Sequence, residues 1–451
     1  MSKRSISRAL SCRVLVTVAV SLLSSGMEAF GNTGSGAGGD TTVDDASNLA
    51  FSRPLANLSN AQANLQHDVG EQGFHRDFSR SRVGGKVVIG PKFNNVSCVA
   101  CHPGNGRSTP TLGGSRSQSV VKVSAQNTNM TSLKGPAPVQ GIGLQIRDHA
   151  IRGATSDGRL RILWEVSTGT YSDGTPFQLR KPLVLWSRPS SKIPNGTMFS
   201  LRRPPPVFGA GLLEAVSVES LVALSDAEDL DHDGISGRPN FVLNVTNGRR
   251  SVGKFGFKAS APTVLQQVAG AYSTDMGVSN PLFPAGDRTP DITRRLLERT
   301  VFYTQTLAVP LARAQDDFVV RQGREIFGAI GCNRCHIESL TTGHHSIQEL
   351  SRQNIQPFTD LLLHDMGAGL ADHRPDFSAS GSEWRTTPLW GIGLTEVVLG
   401  PREVSYLHDG RARTLQEAIL WHGGEGENAK RAFIELAASE RDSLIKFLRS
   451  L

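Results

Sequence analysis

Apolar positions along this chain change their spacing three times. The first stretch, Val14 to Leu23, is a run of about ten mostly apolar residues. It lies behind Lys3, Arg4, Arg8 and Arg13 and ahead of a small-x-small site at Ala29-Phe30-Gly31. That order predicts a secretory signal peptide over residues 1–31, too short to span a bilayer as a stable helix. From Val120 to Gly270 the apolar runs are brief: Val121 and Val123 around Lys122, Leu160 to Val166, Leu183 to Trp186. They alternate with Gly and Pro turns, which predicts short strands in a largely irregular region with some antiparallel sheet. Helical spacing marks Asn60 to Phe78, Ile292 to Thr306, a segment capped by Asp316 and running to about Ala329, and a last helix capped by Ser439. In the third of these Val319, Ile326 and Phe327 offer a core face; in the last, Leu444, Phe447 and Leu448 share one side.

The chain has 451 residues, enough for two or three domains. Residues 32–56 are rich in Gly, Ser, Thr and Asp without periodicity and read as a disordered leader. Two domains are expected after it, at 57–312 and 313–451. The formal charge of +7 falls to +4 once the signal segment is removed. No basic stripe with interleaved aromatics occurs, so nucleic-acid binding is excluded as a class. After residue 31 no stretch reaches transmembrane length, so no membrane span is expected in the mature chain.

Cysteine usage changes the picture. Of five cysteines, Cys12 leaves with the signal segment, and the other four form Cys98-Val99-Ala100-Cys101-His102 and Cys332-Asn333-Arg334-Cys335-His336. C-x-x-C-H fits covalent attachment of a c-type haem: two thiols add to the two vinyl groups, and the adjacent histidine ligates iron. A redox disulfide or a zinc site would use the thiols but would not explain a histidine after the second cysteine both times. Two covalent haems are therefore expected, with His102 and His336 as proximal ligands. An N-terminal and a C-terminal helix around the second motif are the plan of a cytochrome c domain. His67 and His75, eight apart on one helical face, are possible distal ligands. Asp229-Leu230-Asp231-His232-Asp233-Gly234 offers alternating acidic oxygens before a glycine, the front half of a calcium loop, with Asp229, Asp231 and Asp233 as ligands. Asn240 stands where a closing bidentate Glu would be, so the match is incomplete.

Several longer motifs resemble the di-haem oxidoreductase branch, often labelled thiol oxidoreductase-like, of the bacterial di-haem cytochrome c peroxidase superfamily. They include Phe93-Asn94-Asn95 before the first haem motif, Gly209-Ala210-Gly211-Leu212-Leu213-Glu214-Ala215, and Asp231-His232-Asp233-Gly234-Ile235-Ser236-Gly237-Arg238. Gly253-Lys254-Phe255-Gly256-Phe257-Lys258-Ala259, Phe358 to Gly367, Trp384 to Gly391 and Tyr406 to Leu415 complete the set. The resemblance implies that the C-terminal haem takes electrons from a soluble donor, such as a small cytochrome or cupredoxin, and passes them to the N-terminal haem. There, where the distal side is open, a small oxidant such as peroxide is reduced. It also puts His422 where the peroxidases carry a Met ligand, implying a bis-His C-terminal haem of lower potential; His408, His364 and Met366 are alternatives. For the N-terminal haem, His67, Met130, His149, Met198 and Met276 are candidate distal ligands. Glu214 is the candidate acid-base group, with Arg202 or Arg203 stabilising charge. Trp384 and Trp390 either lie between the haems or cover a haem edge.

The expectation is a mainly α protein: a helical cytochrome c-like domain plus an N-terminal haem domain of irregular loops and some antiparallel β. It is expected to be a periplasmic di-haem oxidoreductase, with three readings of its function: a peroxidase-like enzyme, a non-enzymatic electron carrier, and an oxidase of another substrate such as a thiol. With all four mature cysteines committed to haem, thiol oxidation would have to occur at iron.

Overall fold

The computed structural model describes residues 36–114, 117–126 and 135–451; the signal segment, Cys12 and Met130 lie outside the described residues. The expected mainly α class is corrected. The chain is 30% helical and 20% strand, with short helices set among several small antiparallel sheets. The many Gly and Pro residues, 47 and 23, cut helical runs short and leave much of the chain in turns.

The described part of the leader is also corrected. Phe51, Leu55 and Leu58 are buried in the main core. The Val43 amide donates to the Val309 carbonyl and that of Leu55 to Thr306, laying this segment along residues 306–311. A few anchoring apolar residues among small polar ones were enough to order it.

Helix α1, Ala61–His75, starts at Asn60, whose side chain accepts from the Gln62 and Ala63 amides. It crosses α5, Arg294–Gln305, closely: a Cβ at Gly70 would stand 2.3 Å from the Arg299 carbonyl oxygen. Other helices of this half include α2, Cys98–Cys101, α3, Ala210–Ala215, and α4, Val264–Asp275. A three-stranded antiparallel sheet has β1, Val120–Ser124, between β2, Gln145–Ile146, and β5, Met198–Arg202. The runs at Leu160 and Leu183 belong to strands longer than expected. They form a hairpin of β3, Arg159–Thr170, and β4, Pro176–Ser187, paired from Arg159↔Ser187 to Thr170↔Pro176.

In the C-terminal part α6, Phe318–Ala329, is capped by Asp317, one residue later than expected, through bonds to the Val319 and Val320 amides. Its buried face is Val320, Gly323 and Phe327, with Val319 only half-buried. Two helices, α7, Leu415–Leu420, and α8, Glu427–Glu435, precede the last one, α9, Ala438–Ser450. Helix α9 begins after Ala437, whose amide donates to Glu440, so Ser439 is not the cap. Leu444, Phe447 and Leu448 are buried as the spacing predicts. Phe447 packs edge-on against Phe327 at 5.4 Å between centroids.

Two main apolar cores result, and the chain crosses between them. Leu340, Leu350, Ile355, Leu361 and Trp390, all beyond residue 312, belong to the core of the N-terminal half. Conversely Tyr171, Phe177 and Leu179, at the tip of the β3–β4 hairpin, pack on the C-terminal core. Among the described residues no helix is long and apolar enough to cross a membrane.

Candidate functional site

The first C-x-x-C-H motif folds as one helical turn. Ser97 caps it by accepting from the Ala100 amide, and the His102 amide donates to the Cys98 carbonyl. That turn brings both thiols to one side with His102 beside them. His102 Nδ1 donates to the Pro205 carbonyl at 2.8 Å, leaving Nε2 as the free nitrogen. Burial lowers its pKa to about 4, so the imidazole is neutral, the form that ligates iron. Both thiols are unpaired, and burial raises their pKa, that of Cys98 to about 12.

Cys98, Cys101 and His102 line a cavity of about 400 Å³ walled by aromatic and apolar side chains, among them Phe74, Phe257 and Trp390. Cations also face it: Lys122, Arg202, Arg203 and Arg385. Arg203 donates to the Leu407 and Pro204 carbonyls, and Arg385 to those of Gly256 and Thr386. Neither has an ion-pair partner among the described residues, and burial lowers the pKa of both, Arg385 to about 10. Buried guanidinium groups satisfied only by carbonyls, on the wall of an apolar cavity, call for an anionic guest. A haem supplies both an apolar disc and two propionates, so these residues fit the group that the motif implies.

The second motif repeats the arrangement. Helix α6 turns at Gly331, with φ of +85°, into Cys332–Arg334, and the His336 amide donates to the Cys332 carbonyl. His336 Nδ1 donates to the Phe358 carbonyl at 2.9 Å, and burial first lowers its pKa, to about 4. His336 also faces Phe327 at 6.4 Å between ring centroids, on the apolar core to which Leu420, two residues before His422, belongs. His422 follows α7, and its own Nδ1 donates to the Ala418 carbonyl at 2.8 Å. His336 and His422 are thus both held through Nδ1 by a backbone carbonyl.

The two histidine alternatives to His422 are engaged elsewhere. His364 gives one nitrogen to Asp360 at 2.7 Å and the other to Glu425 at 2.6 Å. Burial opposes its charge, but hydrogen bonds to Asp360, Cys335 and Glu425 prevail and push its pKa up to about 12. His408 lies flat on Trp384 at 3.6 Å, and burial keeps it uncharged. Met366 sits beside His422: a Cβ at Gly426 would be 3.1 Å from His422 Cβ and 3.2 Å from the Met366 methyl.

In the N-terminal half His67 is bonded to Thr306 at 2.7 Å and rests against Tyr303, behind the cavity wall. His75 is exposed at the end of α1. His149 spends one nitrogen on Asp148 and the other on the Gly114 carbonyl. Met198 does not line the cavity, whereas Met276 does. Glu214, the acid-base candidate, stands apart from the cavity. Its carboxylate accepts from the Val264 amide, Gln305 and His345, and it ties α3 to α4 and α5 outside the cavity lining. Arg202 pairs with Asp372 at 2.7 Å and lies 4.4 Å over Trp384, while Lys258 approaches the same ring at 4.2 Å. Of the two tryptophans, Trp390 lines the cavity and Trp384 holds these cations. In the acidic loop Asp226, Asp229 and Asp231 converge. Asp233 lies outside that group and pairs with Arg334 at 3.0 Å.

Lys122, Arg385, Asp226 and the carbonyls of Pro205 and Phe358 were not singled out in the sequence. The carbonyls have no side-chain signature. Arg385 lay within a motif noticed for its tryptophans.

Two attachment motifs, each with a carbonyl-held histidine and one with a haem-compatible cavity, define a protein built to carry two haems. The family described as "di-haem oxidoreductase, putative peroxidase" matches residues 32–451, and the chain belongs to it. A search of curated proteins found no match. Among solved structures it is similar to hydrazine synthase of Kuenenia stuttgartiensis, solved under 20 bar xenon, at 14% identity and a TM-score of 0.35. That likeness covers 98% of this chain and 100% of the other, and is too weak to carry an argument.

Proposed function

We propose that this di-haem oxidoreductase is an exported enzyme that reduces a small oxidant, peroxide as the leading case, with electrons from a soluble cytochrome or cupredoxin. The haems are covalent, through Cys98 and Cys101 and through Cys332 and Cys335. Bound haem supplies one-electron chemistry at iron. The observation that carries this reading is the asymmetry between the halves. His336 and His422 are both held through Nδ1 by backbone carbonyls beside one apolar core, and burial lowers the pKa of both. The cavity beside His102 has no second histidine in its described lining. In the C-terminal half His336 and His422 would both hold the iron of a bound haem and leave it to store and pass electrons. In the N-terminal half His102 would hold the iron, the apolar wall would exclude bulk water, and Arg203 and Arg385 would offer their charge to the propionates. Reduction of peroxide to two waters consumes two electrons and two protons, which matches a store of one electron on each haem.

Met276 in the cavity lining supports a second reading, a pure electron carrier in which its thioether closes the N-terminal site. The discriminating assay mixes holoprotein, a reduced small cytochrome and hydrogen peroxide. Donor oxidation that requires peroxide, and that is lost in His102→Ala and His336→Ala, supports the enzyme. Donor oxidation indifferent to peroxide leaves the carrier. We also read Asp226, Asp229 and Asp231 as a calcium site. Calcium added after chelation should raise the melting temperature, and Asp229→Asn should abolish the rise; no rise in the parent rejects the site.

A further inference from the structure

The β3–β4 hairpin is rooted in one half of the molecule and ends on the other. At its root Leu160, Ile162, Val184 and Trp186 pack with the β1–β2 sheet. Its middle stands in solvent, with Leu163, Val166, Leu183 and Leu185 all exposed. A two-stranded ribbon with so little core of its own is marginal in water and must be held at its ends.

Its far end grips the C-terminal half twice. Arg180 donates through Nε to the Arg411 carbonyl at 3.1 Å and through Nη2 to that of Gly410 at 3.4 Å, its guanidinium lying 4.0 Å over Trp164. At the tip, Ser172 donates from its amide and its hydroxyl to the Ile434 carbonyl, and Tyr171 packs edge-on against Phe433. Arg441 closes this second grip by pairing with Asp173 at 2.6 Å and lying 4.0 Å over Tyr171.

The gripped points, 410–411 and 433–434, bracket His422 in sequence. The link to it is short. Arg411, whose carbonyl Arg180 holds, lays its own guanidinium 4.5 Å over Trp421, the residue before His422. A separate anchor comes from within the C-terminal half, where Glu425 is held by Ser236, His364 and the Asp365 amide.

We propose that the hairpin is a strap that positions His422. Arg180 and the Tyr171–Asp173 tip fix both shoulders of the segment that carries His422. This rests on the reading of His422 as the second ligand of the C-terminal haem. Arg180, Tyr171 and Asp173 act through that segment and are positioning residues. The strap keeps His422 in place from the N-terminal half, so loosening it speeds departure of the imidazole from the C-terminal site without opening the N-terminal one.

The test is stopped-flow carbon monoxide binding to the fully reduced holoprotein, followed at the C-terminal haem. His422→Ala establishes the premise: the low-spin signature of that haem is lost and carbon monoxide binds without waiting for a ligand to leave. Should His422→Ala keep the low-spin signature, the ligand assignment fails and the strap falls with it. With the premise met, Arg180→Ala combined with Asp173→Ala should raise the ligand-departure rate roughly tenfold, the effect of losing two charge-assisted bonds in part. The rate at the N-terminal haem should be unchanged. Arg180→Gln, which keeps a donor for the carbonyls, should return most of the parent rate. The single Arg180→Ala variant, at a partly exposed position, gives the same comparison if the double variant does not fold. Rates within twofold of the parent in arm variants that fold, while His422→Ala opens the site, would overturn the strap.

Discussion

His364 shows most directly how single side chains support the C-terminal site. It is 3% exposed, lies between two carboxylates and approaches Cys335 Sγ at 3.5 Å. Replacing it with Ala leaves Asp360 and Glu425 buried without their shared cation, and should cost about 3–5 kcal/mol in a denaturation experiment. Because its folded pKa is raised from 6.5 to about 12, its contribution is complete below about 6.5 and declines as pH rises toward 12. The gap between parent and His364→Ala should therefore narrow with increasing pH; a gap constant from pH 6 to 10 would contradict this. The same scale decides the potential of the C-terminal haem. His422→Met, in place of an imidazole held by the Ala418 carbonyl, should raise it in a redox titration, since thioether ligation favours the reduced iron. The two haems of the family were legible in the sequence because a pair of C-x-x-C-H motifs is hard to explain otherwise. What oriented His102 and His336 was not, since any residue can offer a carbonyl. The partners of Glu214 were hidden for a related reason: what surrounds a carboxylate is set by distant chain, here an amide of α4 and a glutamine on α5.

Among the elements, the α6–α9 pair was read correctly in place and less well in detail. Leu444, Phe447 and Leu448 repeat with helical spacing, so their burial follows from the pattern. The caps shifted by one or two residues because neighbouring Asp316 and Asp317 offer equivalent oxygens, and Ala437 needs only Glu440 reaching back to its amide. The crossing itself depends on Gly323, which gave no signal beyond being a glycine. A Cβ there would sit 2.0 Å from the Ser443 carbonyl oxygen and 2.8 Å from Phe447 Cβ. Gly323→Ala should gain about 1 kcal/mol of helix propensity and lose more than that by forcing the helices apart, at about 1–3 kcal/mol or above. Thermal unfolding should show a lower melting temperature, and a higher one would mean the helices separate at no cost. The strands at 159–187 were under-read because alternation fades where both faces of the ribbon are exposed, as at Leu163 and Val166. The mainly α expectation failed with them.

For the whole molecule, the division at residue 312 captures two haem motifs but not how the chain is woven. Leu340 to Leu361 return to the N-terminal core, the hairpin reaches the C-terminal one, and residues 36–58 line the groove beside 306–311. Such exchanges depend on contacts distant in sequence, which composition and periodicity do not encode. Their consequence is functional: the His336–His422 site is framed by both halves, while the His102 cavity draws Arg385 and Trp390 from beyond residue 380. The central claim is that these two sites differ, one closed by two histidines and the other open on one face. The most direct measurement is a stepwise reductive titration of the purified holoprotein with carbon monoxide, followed by hydrogen peroxide. The account predicts one carbon monoxide per chain, bound at the N-terminal haem, and rapid reoxidation by peroxide. No binding at either haem at any reduction level, or equal binding at both, would contradict it.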